Sequence, residues 1–165
     1  MSKTKGIIIL INLTLFLAYI NWSIFNKEQI LSKGRLILLE LIPFDPRSIM
    51  QGDYMRLDYA ANRIDYTVKL LKRGYCILEV DSKGRAKRVR FQKNLEPLKS
   101  NELAIKYYSN GQGYNRNVNL GAESYFFEEG RGHNFAEAKY GGLRVDESGN
   151  SVLAGLFDSS LKQIK

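Results

Sequence analysis

From Gly6 to Phe25 the chain runs for 20 residues without a formal charge. As a helix rising 1.5 Å per residue, this run reaches about 30 Å, the thickness of a bilayer's hydrocarbon core. Its polar residues, Asn12, Thr14, Asn21 and Ser23, can bond locally within a helix. After it the pattern changes to short apolar runs separated by turn signals. Arg35 to Ile42 is strongly apolar, ends at Pro43 and predicts a buried strand. Between Asp53 and Tyr59, residues Met55, Leu57 and Tyr59 alternate with Tyr54, Arg56 and Asp58, which is strand periodicity. Tyr75–Val80 and Ala86–Phe91 flank a Gly-containing connection, as do Gly142–Val145 and Ser151–Leu156, and each pair predicts a hairpin. Further strands are expected at Leu103–Tyr108 and Tyr125–Phe127. A short helix or loop is expected over Ala60–Lys72, one or two helical turns over His133–Tyr140, and a polar loop over Asn110–Asn119.

The fold class that follows is mainly β, a β-rich α+β chain: a single N-terminal transmembrane helix followed by one antiparallel β-rich domain. Residues 1–25 form a cytoplasmic stub and anchor, 26–34 a linker and 35–165 the domain. A chain of 165 residues has room for one such domain. Two other readings of the run fit less well. A cleaved signal peptide would want small residues after the apolar core, where Tyr19-Ile20-Asn21-Trp22 is bulky. A buried soluble helix would need cover on every face, more than this chain can provide.

Charge gives the orientation. Lys3 and Lys5 precede the run with no acidic residue, so the N-terminus is expected in the cytoplasm and the domain outside it, with Tyr19 and Trp22 as interface anchors. Beyond residue 25 the chain keeps 23 basic against 17 acidic residues, a net +6. That balance suits a charged soluble surface, and also anionic headgroups, envelope polymers or an acidic partner. Nucleic acid is a poor partner for a domain tethered outside the membrane.

Little in the sequence points to catalysis. One His and one Cys exclude an internal disulfide and a zinc site built from those residues. His133 follows a turn-like Glu-Glu-Gly-Arg-Gly segment without a nucleophile elbow and reads as a surface or loop histidine. Cys76 sits mid-strand, where a lone Cys behaves as a small hydrophobe. The carboxylate pairs Asp45/Asp53 and Glu128/Glu129 are weak candidates, and adjacent Glu128 and Glu129 would point to opposite sides of a strand. Gly111-Gln112-Gly113 lacks the lysine and helix start of a phosphate loop, and Asp146–Asn150 is too short for a calcium loop. No cofactor is expected.

One segment is distinctive: Pro43-Phe44-Asp45-Pro46-Arg47-Ser48-Ile49-Met50-Gln51-Gly52-Asp53-Tyr54-Met55-Arg56-Leu57-Asp58-Tyr59. It resembles the signature of the GDYXXLXY protein family, with Gly52, Asp53, Tyr54, Leu57 and Tyr59 in the named positions. The stretches Tyr125–Gly130, Ala138–Val145 and Leu153–Leu156 resemble that family's C-terminal pattern. The resemblance implies a bacterial protein with one membrane helix, associated with a multi-spanning membrane protein. The expected role is a non-enzymatic binding or accessory subunit, with the motif residues Asp45, Arg47, Gly52, Asp53, Tyr54, Leu57 and Tyr59 as the candidate binding surface. Physically, Gly52 permits a tight turn, Asp53 can accept backbone N–H groups or pair with Arg47, and the two tyrosines fall on opposite strand faces.

The same segment is faintly similar to type I signal peptidases and implies, as the alternative, a hydrolase with Ser48 as nucleophile. Ser48 stands four residues before Gly52, later than that pattern places its serine. The Tyr125-Phe126…Gly130 stretch lacks the Asp-Asn of the later box, and no lysine is assigned as base.

Overall fold

The structure is a computed structural model and describes residues 3–42, 54–64, 70–109, 118–128 and 130–164. Helix α1 spans Lys3–Lys33, about 46 Å at 1.5 Å per residue. Its apolar part is long enough to cross a membrane and is not buried against the rest of the chain. Asn12, Thr14 and Asn21 each donate to the carbonyl four residues earlier, at 2.9 Å, so these polar groups are satisfied within the helix. Of the 26–34 linker, residues 26–33 are the last two turns of α1. Lys27, Glu28, Gln29 and Leu31 are good helix formers, and nothing breaks the helix before Gly34.

Among the described residues nine strands follow: β1 (Arg35–Glu40), β2 (Tyr54–Arg56), β3 (Arg73–Val80), β4 (Arg85–Gln92), β5 (Glu102–Ser109), β6 (Val118–Asn119), β7 (Ser124–Phe126), β8 (Tyr140–Val145) and β9 (Ser151–Phe157). Seven form one sheet in the order β6-β5-β3-β4-β1-β8-β9, and β2 pairs with β7 in a separate ribbon. Pairing in the large sheet is antiparallel except between β1 and β4. That one parallel pair arises because the β3–β4 hairpin inserts beside β1 from the opposite side to β8. The sheet curls until its far ends meet. Lys106 N on β5 donates to Gly149 O in the β8–β9 turn at 2.8 Å, and Ser151 Oγ on β9 donates to Leu120 O just past β6 at 2.9 Å.

The main core lies inside the curl, with Ile37 and Leu39 of β1, Cys76 and Leu78 of β3, Ile105 of β5 and Leu143 of β8 in one cluster. Leu38, Ile77 and Ala104 alternate with these and are buried too. Burial on both faces explains why Arg35–Ile42 reads as a continuous apolar run instead of an alternation. The two hairpin turns form as expected: Asp81 caps the first, accepting from Lys83 N and Arg85 N, and Asp146 caps the second, accepting from Ser148 N and Asn150 N. The helical turns expected over 133–140 shrink to a 3-10 turn at Gly132–Phe135, because Tyr140 already begins β8. Of Ala60–Lys72, a 3-10 turn at Ala60–Asn62 is seen, and 65–69 lie outside the described residues.

A single ion pair fastens the connection between β4 and β5. Arg90 donates through both terminal nitrogens to Glu102, at 2.6 and 2.9 Å, and Nη2 also reaches Pro97 O at 3.1 Å. Lys99 N adds a bond to the same carboxylate at 3.0 Å. The guanidinium, with that N–H, holds the Glu102 carboxyl down at about 2. A carboxyl depressed by folding stabilises the protein fully above its unfolded value and loses this contribution as pH falls toward the folded one. The melting temperature is therefore expected to drop between about pH 4.5 and pH 2. In Glu102→Gln that drop is expected to shrink and the neutral-pH melting temperature to be lower, as a pH series of thermal melts on both proteins would show.

Candidate binding surface around the Gly-Asp-Tyr segment

The segment divides into a part that packs and a part the structure leaves undescribed. Asp45, Arg47, Ser48, Gly52 and Asp53 lie outside the described residues, and Tyr54 is described by its backbone alone, as the first residue of β2. From there the strand periodicity holds. Met55 packs against the core, and Leu57 and Tyr59 are buried within it, while Arg56 is exposed on the other face. The regular strand is shorter than the alternation suggests. β2 ends at Arg56, and the chain then crosses to β1, where Tyr59 bridges Leu41 and Ile42 N donates to Asp58 O at 2.8 Å.

Tyr59 is fully enclosed, and its hydroxyl donates to Ala122 O at 2.6 Å. Burial, with the Glu123 carboxylate adding to it, pushes the phenol far above its ordinary range, so it remains a neutral donor. Its ring lies across β8. A Cβ on Gly141 would come within 2.7 Å of the ring, so only glycine lets the tyrosine seat there. Leu57 N donates to Glu123 O at 2.8 Å, and β2 pairs with β7 through Met55 opposite Tyr125. Tyr125 and Phe127 in turn pack on Phe135, with ring centroids 5.0 and 5.5 Å apart. Residues 55–59 and the later Tyr125–Phe127 and Tyr140–Val145 stretches thus form one packed unit.

A family model described as GDYXXLXY protein matches residues 16–156. The chain belongs to the GDYXXLXY family. No curated protein and no solved structure is significantly similar to it. The matched span begins at Phe16, so the GDYXXLXY unit takes in the second half of α1 as well as the sheet. In this GDYXXLXY protein the two named positions with described side chains, Leu57 and Tyr59, are structural.

Beside them lies a small pocket of about 260 Å³, floored by Leu41, Met55 and Leu57 and rimmed by Arg56, Asp58 and Lys139. Its charges are tethered: Arg56 reaches Asp58 at 4.0 Å and Lys139 reaches Glu40 at 3.4 Å. Such a rim, polar over an apolar floor, can accept a side chain from a partner.

The residues weighed for chemistry take ordinary places. His133 is exposed on the 3-10 turn, with Nδ1 3.1 Å from Gly130 O. Cys76 is fully buried, and burial raises its thiol to about 12, so it acts as a small hydrophobe. Glu128 pairs with Arg131 at 3.1 Å, and Glu129 lies outside the described residues. Among the described residues no group of three His, Cys, Asp or Glu is placed to hold a metal ion.

The junction between helix and sheet carried a weaker signal in the sequence. Only Gly34 separates α1 from β1, and it is buried. A Cβ there would lie 2.5 Å from Ile30 O and 3.0 Å from Val145 N. Gly34 N donates to Ile30 O at 2.8 Å, and Arg144 on β8 donates to Gly34 O, also at 2.8 Å. Gly after the last basic residue of a helix is a stop signal, but the sequence does not show that a strand two elements from the C-terminus would clamp it.

Proposed function

We propose that this protein is a single-pass subunit of the cell membrane, N-terminus inside and sheet domain outside, that acts as a non-enzymatic binding or accessory partner of a multi-spanning membrane protein. The observation that carries the reading is the clamped junction at Gly34. A domain joined to its anchor through one buried glycine, held by Val145 and Arg144, cannot swing freely on a tether. It presents one face at a fixed height and angle to whatever shares the membrane with α1. That geometry suits a lasting lateral partner, where preorganisation lowers the entropy cost of association.

The face favoured for contact is the rim formed by Arg56, Asp58 and Lys139, and the motif residues Asp45, Arg47 and Asp53 are proposed as further contacts on grounds of sequence alone. The test is crosslinking of the full-length protein in membranes, followed by affinity purification and identification of what copurifies. A specific multi-spanning protein is expected, and its recovery should fall about tenfold or more in an Arg47→Ala/Asp53→Ala double variant that still accumulates and melts normally, the loss typical of an interface hot spot. A preparation free of any such partner would overturn the reading. So would full recovery from the double variant together with Arg56→Ala.

A further inference from the structure

A cavity of about 1040 Å³ lies between the C-terminal half of α1 and the β8–β9 turn. Tyr19, Trp22 and Asn26 line its end nearest the apolar run, at the level where the helix passes from uncharged to charged residues. One wall is basic, with Lys27 and Lys33 on α1 and Arg35 opening β1. The opposite wall is acidic and polar, with Asp146, Glu147, Ser148 and Asn150 from the turn. Opposite charges facing each other across a protein surface usually close into ion pairs. Here none does: of the ion pairs among the described residues, none joins Lys27, Lys33 or Arg35 to the turn.

The acids are not equivalent. Asp146 is spent on its own turn, accepting from Ser148 N, Asn150 N and Asn150 Nδ2 at 3.0, 2.8 and 2.7 Å. Glu147 is exposed and makes no such bond among the described residues, so it is the free acceptor of that wall.

We infer that this groove binds the headgroup of a zwitterionic phospholipid bearing a primary ammonium, phosphatidylethanolamine by chemistry. The phosphate sits toward Lys27, Lys33 and Arg35, and the ammonium donates to Glu147. The inference rests on α1 crossing a membrane, because that alone brings the groove to headgroup level. A phosphate beside lysine and arginine gains charge-assisted bonds. A primary ammonium has three N–H donors for a carboxylate, whereas the trimethylated nitrogen of a choline headgroup has none. A purely anionic headgroup gains the basic wall but is repelled by Glu147. The two walls together therefore select phosphoethanolamine over both rivals.

Trp22 is the chain's single tryptophan and lines the groove, so its fluorescence reports on the adjacent lipid. The full-length protein would be reconstituted into phosphatidylcholine vesicles. These would contain equal fractions of phosphatidylethanolamine, phosphatidylcholine or phosphatidylglycerol brominated near the top of the acyl chain. Quenching should show a relative binding constant for the ethanolamine lipid at least about threefold above either other lipid. Glu147→Gln should abolish its advantage over phosphatidylcholine. Lys33→Gln/Arg35→Gln should weaken quenching by the ethanolamine and glycerol lipids together, while Lys83→Gln/Lys93→Gln, exposed residues that do not line the groove, should change nothing.

Equal quenching by all three lipids would overturn the proposal. Strongest quenching by phosphatidylglycerol would do the same, and would reduce the groove to a basic patch. Flotation of the protein with the vesicles separates the two levels. Flotation with equal quenching refutes the headgroup site alone, whereas failure to float with any vesicle refutes the membrane-spanning reading and takes the headgroup site with it.

Discussion

Tyr59→Ala is expected to destabilise the sheet domain by about 3–5 kcal/mol, the range for emptying a buried aromatic site. Tyr59 has no exposed surface, fills the space over Gly141 and holds Ala122 O through its hydroxyl. Alanine removes the ring, leaves a cavity at the crossing between β1, β2 and β8, and orphans a carbonyl on a residue that is itself buried. Against a total stability of about 5–15 kcal/mol for an ordinary domain, that loss is severe. The melting temperature should fall by roughly 10 °C, given about 2–4 °C per kcal/mol for domains of this size. Tyr59→Phe isolates the hydrogen bond, since the ring remains, and should cost about 1–3 kcal/mol. Thermal and denaturant melts of the two variants check the ranking. Equal costs, or a cost below about 1 kcal/mol for alanine, would show that Tyr59 does not carry the packing. The same data bear on the motif, because they separate its packing positions from the Asp53 and Arg47 end that the partner experiment addresses.

Placing two arginines in the apolar run, Leu13→Arg together with Leu17→Arg, is expected to abolish retention of the protein in membranes. Both leucines are exposed in a helix that packs against nothing along this stretch, so no protein surface can shelter the new charges. Each arginine near the middle of a spanning helix costs about 2.5–3.5 kcal/mol on the insertion scale, and each lost leucine removes a further few tenths. The pair therefore amounts to about 6 kcal/mol, enough to reverse the partition of a single-pass helix. Extraction of membranes at alkaline pH reads this directly, with the wild type in the pellet and the double variant in the supernatant. A charge-neutral control, Leu13→Ile/Leu17→Ile, should stay in the pellet. Retention of the arginine variant would mean that the protein is held by something other than α1.

Sequence alone determined the parts of this protein whose cause is local. Twenty uncharged residues form a helix whatever surrounds them, because an unbroken helix satisfies its own backbone and apolar side chains need only lipid. The two hairpins are local as well: Asp81 and Asp146 cap their turns by accepting N–H groups two and four residues ahead. The period-2 alternation from Met55 to Tyr59 likewise foretold which side chains share a face, and the fold buries the face of Leu57 and Tyr59. Tertiary structure alone decided the rest. Nothing near β1 in the chain says that it pairs parallel with β4 and antiparallel with β8, since strand partners are chosen by how apolar faces close over one core. Glycines 34 and 141 look alike in sequence, yet one admits the Val145 backbone and the other the ring of Tyr59, contacts made across more than eighty residues of chain. The groove beside Trp22 is of the same kind. Its basic wall comes from residues 27–35 and its acidic wall from residues 146–147, and only the antiparallel pairing of β8 with β1, Val145 opposite Arg35, brings the β8–β9 turn to the foot of α1.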